Sequence, residues 1–291
     1  MAERIRRLGT GLVLSIVEYA VMYGWALFVL LPFVWIVSLS LRKTQAVYTA
    51  LFFQQLDEVT FENYLYLFQG RFPYRNIQIF FTNALQNSVV VTLVALTGII
   101  VVSMMAAYAF SQIKFFGRGP LFYFLLAGMM IPVQVVMLPL FKIVRLLGLQ
   151  NGLGSVMLPY VAIGIPLSVF LFTGFFKNIP ASLIEAARLE GASHFQVLTM
   201  IITPLSRPVI GAVVIFQFML TWNEFPLALV LLQKANLYTL PIEITKVQGQ
   251  YMTPWNIVST AVVAAIVPVI VVYMLFQRQF MTGITAGALK E

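Results

Sequence analysis

Six stretches of this chain are long and apolar enough to cross a bilayer, and one charged residue in all, Glu224, falls inside them. They lie at about 19–41, 88–110, 119–141, 153–176, 208–232 and 257–277. A hydrocarbon core needs about 20 consecutive, mostly apolar helical residues to span it. Strands of a membrane barrel would alternate apolar and polar residues over about ten positions, whereas these runs are apolar all round. The pattern predicts an all-α, polytopic membrane protein with six transmembrane helices. Pro32, Pro132, Pro139, Pro159, Pro166 and Pro268 all fall within the runs. Proline is tolerated there because neighbouring helices or waters satisfy the freed carbonyls. Kinks at these positions suit either a change of shape or packing alone.

Charge is scarce. Asp, Glu, Lys and Arg make up 10% of the residues, against about 25% in an ordinary soluble domain. Mean hydropathy is +0.92. Soluble enzymes, secreted disulfide scaffolds and disordered linkers are excluded on that ground. The chain has no cysteine and one histidine, and its single aspartate is Asp57, so neither a Cys-ligated or His-based metal site nor a His-Asp relay can be assembled. The net charge of +8 reads as loop residues beside lipid headgroups and not as a nucleic-acid footprint. With the N-terminus inside, ten of the 18 Lys and Arg fall on the inner side and eight on the outer, a weak lean towards that orientation. The N-terminal apolar run is too long for the core of a signal peptide and is followed directly by Arg42 and Lys43, so it reads as a retained first span.

Two loops on the outer side are sizeable. The first, 42–86, mixes aromatics with Asp57, Glu58, Glu62, Gly70 and Pro73, and predicts a small subdomain with a short helix around 61–68. The second, 234–255, holds a strand-like stretch at Tyr238-Thr239-Leu240 and Pro254 near its end. Neither shows catalytic spacing; either a docking surface or an inert linker would look like this.

The loop between spans four and five, 177–207, is different. Pro180 suits the start of a helix, and the Ala, Leu, Glu and Arg residues up to Glu190 are strong helix formers. Gly191 can take the left-handed conformation that ends it. Ser193 and Gln196 form a capping box that starts a second helix, with Phe195, Leu198 and Ile202 on one face, Val197 and Ile201 on another, and Pro204 and Pro208 beyond. A helix–glycine–helix unit at the membrane surface fits the groove of a soluble partner or the headgroup layer. His194 reads as a surface residue without a role.

These residues resemble a family: the six-span membrane permeases of binding-protein-dependent ABC importers. Their cytoplasmic motif has Glu-Ala-Ala, a Gly six positions after the Glu, an Ile ten later and then Leu-Pro. Glu185, Ala186, Ala187, Gly191, Ile201 and Pro204 fall on those positions, with Thr203 in place of the Leu and Glu190 where many relatives carry Asp. Thr221-Trp222-Asn223-Glu224-Phe225, the string from Gly283 to Lys290, Ala106 to Phe110, and Asn63-Tyr64 extend the likeness over nearly the whole chain. They narrow it to the carbohydrate branch, and there to the shorter permease of the maltose type.

The resemblance implies the type I ABC importer permease fold. It divides the chain into an N-terminal cytoplasmic segment (1–18), a permease domain (19–280) and a C-terminal cytoplasmic tail (281–291). It also implies a second related permease, two ATP-binding subunits below and a solute-binding protein outside, docked on the two outer loops. The segment around 233–255 would reach towards that protein's sugar cleft. ATP and Mg are then used by the ATPase; this chain binds no cofactor of its own. No Gly here is followed by Lys, so the Gly-Lys-Ser/Thr phosphate loop is absent and the chain is not the ATPase. Glu185, Ala186, Ala187, Gly191, Ile201 and Pro204 would couple to the ATPase, with Glu185 either pairing with it or held by Arg188 three residues on. Gly191 would set the angle between the two short helices.

Glu224, some 17 residues beyond Arg207, lies about 25 Å along a helix rising ~1.5 Å per residue, towards the outer face. Trp222, Asn223, Glu224 and Phe225 could line a sugar path, by hydrogen bonding and stacking, or sit in the interfacial aromatic belt. In the maltose type the companion permease supplies most sugar contacts. A polyol or glycerol phosphate is the alternative solute. An ion-coupled secondary transporter would place ionisable groups at the midplane, which this chain does not.

Overall fold

The computed structural model describes residues 2–43, 59–71, 79–150, 152–247 and 253–288, without the side chains of 2–14 and 280–288. Asp57, Glu58, Pro73, Leu289 and Lys290, and the side chains of the C-terminal string, lie outside the described residues. Among those described the chain is α-helical without strands, and an isolated bridge joins Arg42 and Val59.

Among the described residues thirteen α-helices follow one another: α1 (Ala2–Ser40), α2 (Glu62–Gln69), α3 (Phe81–Gln112), α4 (Arg118–Ala127), α5 (Val133–Leu146), α6 (Gly154–Phe176), α7 (Ala181–Leu189), α8 (His194–Gln196), α9 (Thr203–Leu205), α10 (Arg207–Trp222), α11 (Pro226–Leu231), α12 (Leu240–Lys246) and α13 (Trp255–Ala288). Four segments are by themselves long and apolar enough to cross a membrane: Ser15–Ser40, Phe81–Gln112, Gly154–Phe176 and Trp255–Gln279. Two bent pairs qualify when each is taken together, Arg118–Met130 with Val133–Leu146 and His194–Leu205 with Arg207–Trp222, which brings the number to six.

Neither bent pair is the straight helix that hydropathy suggests. The third run turns by 102° where a 3-10 turn, Gly128–Met130, meets Pro132 in extended conformation. Proline has no N–H to continue the ladder and holds the residue before it out of the helical region. The fifth run is likewise broken, at Asn223–Phe225, between α10 and α11. Its N-terminal side bends by 81° beside Ser206.

The chain packs as two units. One comprises Met1–Ile79 with Val247–Ala264. Here every described side chain of α1 from Ser15 to Trp35 is exposed, so this helix gives its chain no packed face over that length. Its C-terminal end is tied down by polar side chains. Asn63 donates to the carbonyls of Ser40 and Arg42, both at 2.8 Å, and Thr260 donates to that of Ser40 at 3.1 Å. A helix end leaves carbonyls that need such donors. α2 falls where the first outer loop predicts a short helix.

The other unit comprises Phe80–Lys246 with Ala265–Glu291. Its centre is the α3–α6 pair. A methyl on Gly98 would come within 2.9 Å of Val161, and one on Gly164 within 2.5 Å of Ile99. Small residues let helix backbones approach in a membrane, where van der Waals packing drives association. Towards the 177–207 side the pair is capped by an apolar cluster that includes Tyr108, Phe172, Phe176, Ile184, Val197, Leu198 and Ile202.

The opposite end of α3 is held by hydrogen bonds. Asn83 and Asn87 donate to the carbonyl of Asn236 at 2.7 and 2.9 Å, and Asn87 also reaches that of Tyr238 at 3.0 Å. Ser88 accepts from the amide of Leu240 at 2.8 Å, and the carboxylate of Glu243 accepts from that of Phe80 at 3.0 Å. This corrects the strand-like reading of Tyr238-Thr239-Leu240. Leu240 opens α12, and the Thr239 carbonyl accepts the helical bond from Glu243 at 3.0 Å.

Candidate functional site

The 177–207 loop folds as two helical pieces about a glycine. α7 starts directly after Pro180, which takes the N-cap position. Gly191 has φ +90°, the left-handed region that a side chain disfavours by about 1–2 kcal/mol. A Cβ there would meet nothing within 4 Å, so the demand for glycine is conformational and not steric. The capping box forms: Gln196 donates its amide to Ser193 Oγ at 3.2 Å, and its side-chain oxygen accepts from the Ser193 amide at 2.7 Å.

The helix it starts is not uniform. Residues Val197–Ile202 form a π turn, so the buried face is Val197, Leu198 and Ile202, while Phe195 is 66% exposed. The α-helical spacing that grouped Phe195 with Leu198 and Ile202 fails because π winding brings residues five apart together. Pro204 accounts for the widening. It cannot donate to the carbonyl of Met200, and its ring would crowd that group in a regular helix. Thr203 Oγ1 takes up the Leu198 carbonyl at 2.8 Å.

The motif residues divide by exposure. Glu185, Ala186, Gly191 and Pro204 are exposed, and Ala187 and Ile201 are half-buried. Ile184 packs inward with the cluster described above. Arg188 donates to the Ala192 carbonyl at 2.7 Å, closing the glycine turn; among the described residues it makes no ion pair with Glu185. Beside the motif, Leu189, Phe195 and Met200 stand 89%, 66% and 73% exposed. His194, given no role by sequence reading, meets the buried Tyr108: its Nδ1 lies 2.9 Å from the tyrosine hydroxyl, ring edge to face.

A second place of interest is an open cavity of about 610 Å³ lined by α5, α6, α10, α11 and the broken turn between α4 and α5. Its polar walls are Gln134, Tyr160, Gln217, Thr221 and Glu224; the remainder is apolar, and among the described residues no basic one lines it. Gln217, 2% exposed, donates to the Gly164 carbonyl at 3.0 Å and to Ser168 Oγ at 2.9 Å.

Glu224 terminates the break in the fifth run. Its Oε1 accepts from the Leu227 amide at 2.8 Å, and its Oε2 accepts from the Ala228 amide at 2.9 Å and from the Tyr160 hydroxyl at 2.6 Å. Carboxylates are favoured at helix N-termini, where amides lack intrahelical partners. Of the four path candidates Glu224 lines the cavity, and the other three are not among its walls. Trp222 is 4% exposed, stacked on Phe218 at 5.3 Å with its indole N–H on the Ala265 carbonyl at 3.2 Å. In this chain its ring is thus packed inside the helix bundle and not turned into the cavity. Asn223 caps the last turn of α10 through the Met219 carbonyl at 2.9 Å. Phe225 packs into the apolar cluster around Val91 and Leu231. Tyr160, Gln217 and Gln134 carry no charge; in the sequence they stand out only as uncharged polar groups inside apolar runs.

Comparison with known proteins fits this geometry. Residues 98–285 match the family described as "Binding-protein-dependent transport system inner membrane component". The trehalose transport system permease protein SugB of Mycobacterium tuberculosis is 33% identical over 265 residues, 90% of this chain and 93% of that protein. The trehalose/maltose transport system permease protein MalG of Thermococcus litoralis is 32% identical over 91% of this chain and 93% of its own length. The arabinooligosaccharides transport system permease protein AraQ of Bacillus subtilis is 33% identical over 80% and 79%. Among solved structures, a bacterial ABC transporter involved in the import of the acidic polysaccharide alginate shares the fold, with a TM-score of 0.79 at 23% identity over 92% of this chain and 96% of that one. By these measures the chain belongs to the inner membrane components of binding-protein-dependent transport systems, the permease subunits of ABC importers.

Proposed function

We propose that this chain forms half of the membrane pathway of an ATP-driven importer for a di- or oligosaccharide. It works with a second related permease, two ATP-binding subunits and an extracytoplasmic solute-binding protein, and both of its termini are cytoplasmic. Trehalose, maltose and arabinooligosaccharides named for relatives about a third identical over most of the chain support a sugar as solute.

The observation that carries the coupling role is the two-sidedness of the 177–207 loop. One side is fused to the α3–α6 core through Ile184, Val197, Leu198 and Ile202. The other presents Leu189, Phe195 and Met200 around the Gly191 turn, a clustered apolar exposure that suits a partner's groove. Glu185, Ala186, Ala187, Gly191, Ile201 and Pro204 then form the element that follows the ATPase, and closure of the ATPase on ATP and Mg moves it as a rigid body. Exposed Glu185 is free of Arg188 and available to a basic residue of that partner.

The cavity walled by Tyr160, Gln217, Thr221 and Glu224 supplies hydrogen-bonding groups in an apolar surround, the composition of a small-molecule passage. Trp222, Asn223 and Phe225 serve it indirectly, by holding the break that presents Glu224.

The test is ATP hydrolysis by the reconstituted complex with its binding protein, assayed with trehalose, maltose, arabinooligosaccharides and glycerol 3-phosphate in turn. Stimulation by one of the sugars is expected. Stimulation by glycerol phosphate alone would replace the sugar reading, and import driven by a proton or sodium gradient without ATP would remove the ABC reading altogether.

A further inference from the structure

Between α3 and the 177–207 loop, most of the contact is apolar. Ile184, Val197, Leu198 and Ile202 of the loop share a buried cluster with Met104, Ala107, Tyr108 and Phe110 of α3 and with Phe172 and Phe176 of α6. Such contacts are non-directional; they hold two elements together and still allow one to slide over the other. A hydrogen bond is different, because its length and angle are restricted. One side chain to side chain hydrogen bond crosses this interface among the described residues: Tyr108 to His194 Nδ1, at 2.9 Å.

Its position is informative. Tyr108 is 4% exposed and lies one turn from the end of α3. His194 opens α8, three residues beyond the Gly191 turn, and its backbone is fixed by the capping box of Ser193 and Gln196. Tyr108 sits one turn before Gln112, whose amide group donates to the Phe176 carbonyl at 2.9 Å and so joins α3 to α6. A chain of directional contacts therefore runs from the glycine turn through His194 and Tyr108 into both central spans.

We propose that the Tyr108–His194 hydrogen bond sets the register between the coupling loop and α3, so that displacement of the loop moves the span and does not slip past it. Both are positioning residues, touching neither nucleotide nor solute. The inference rests on the coupling role proposed above for the loop.

The chain has no cysteine, which allows a reporter at a single introduced one. Gln86 is exposed on α3, 22 residues from Tyr108, or about 33 Å at ~1.5 Å per residue. A Gln86→Cys chain carries an environment-sensitive fluorophore in the complete importer in lipid vesicles, with an unsubstituted chain as blank. The probe is a non-hydrolysable ATP analogue with Mg, and the readout is the nucleotide-induced spectral shift. Tyr108→Phe and His194→Ala are each expected to shrink it by about three- to tenfold, the equivalent of one lost hydrogen bond. His194→Asn, which keeps a group able to pair with the hydroxyl, retains most of the shift, and the Tyr108→Phe/His194→Ala double variant falls no further than either single one. Assembly with the ATPase stays at the parental level throughout.

A full shift in Tyr108→Phe, while Gly191→Val abolishes it, would overturn this proposal and leave the coupling role standing. A full shift in both would overturn the coupling role as well. Additive losses in the double variant, or failure of Tyr108→Phe to assemble, would show that the two side chains act separately or hold only the fold.

Discussion

The two ends of α3 are secured by different physics. At the end near Phe81, five hydrogen bonds join the helix to the 234–246 segment: two to the Asn236 carbonyl, one to that of Tyr238, and two that receive backbone amides at Ser88 and Glu243. At the other end the 177–207 loop rests on an apolar cluster with the Tyr108–His194 bond across it. Connecting segments are usually the mobile parts of a protein, yet this segment is bonded into the core as firmly as a helix. The clamp fixes its end of the helix in length and angle, whereas the seat holds its end by contacts without preferred direction. The contrast leads to the expectation that the clamp contributes mainly to stability and the seat mainly to the proposed coupling.

Substitutions at four positions test that division. The largest effect is expected at the seat, where Gly191→Val forces a β-branched residue to φ +90°, a conformation such residues almost never adopt. Uptake into vesicles should fall to background with the complex still assembled, while Gly191→Asn, tolerant of that region, keeps most of it. Normal uptake by the valine variant would mean that the turn geometry does not matter.

Next comes Glu243→Ala at the clamp. It leaves the Phe80 amide without its acceptor and Lys246 without its ion pair at 3.2 Å. A loss of about 2 kcal/mol should show in denaturant titration of the purified complex, with solute imported per ATP unchanged in the molecules that remain folded. Asn87→Ala removes two bonds to carbonyls and should cost about 1–2 kcal/mol by the same titration. A fall in solute per ATP for either variant would break the comparison, since the clamp would then take part in coupling. The smallest effect belongs to Ser193→Ala, which removes the cap of α8 and should cost about 1 kcal/mol, seen as faster hydrogen exchange of the Gln196 amide.

Much of this was legible in the residues. The six apolar runs gave the helical membrane architecture, because a segment without charge over that length has few other solutions. Gly191 and the Ser193–Gln196 box declared the loop's geometry, since both act locally. What stayed hidden depended on partners distant in sequence. The break in the fifth run is invisible to hydropathy: Leu, Ala and Val continue on both sides of it. It forms because Glu224 finds two amides ahead of it and the Tyr160 hydroxyl 64 residues behind. Trp222 read as a surface or path aromatic because its type is frequent there, and its burial against Phe218 and Ala265 could not be seen locally. His194 looked idle because Tyr108 lies 86 positions away. The π turn was foreshadowed by Pro204, yet the sequence pattern alone still favoured a regular helix.

The seam between α3 and α6 carries a lesson for mutational maps of this chain. Gly98 and Gly164 leave no room for a methyl group, and Gly164 is also flanked by Gln217 Oε1, 3.0 Å from where a Cβ would sit. A scan that scores survival residue by residue will find both glycines poorly tolerant of larger residues, and Gly164 is itself one of the cavity's lining residues. Ranked by intolerance alone, they would be taken for residues that handle the solute. Paired replacements separate the two cases: trimming Ile99 or Val161 to alanine should restore tolerance at the glycine it faces, and no trimming of a neighbour should restore a residue that serves the passage itself.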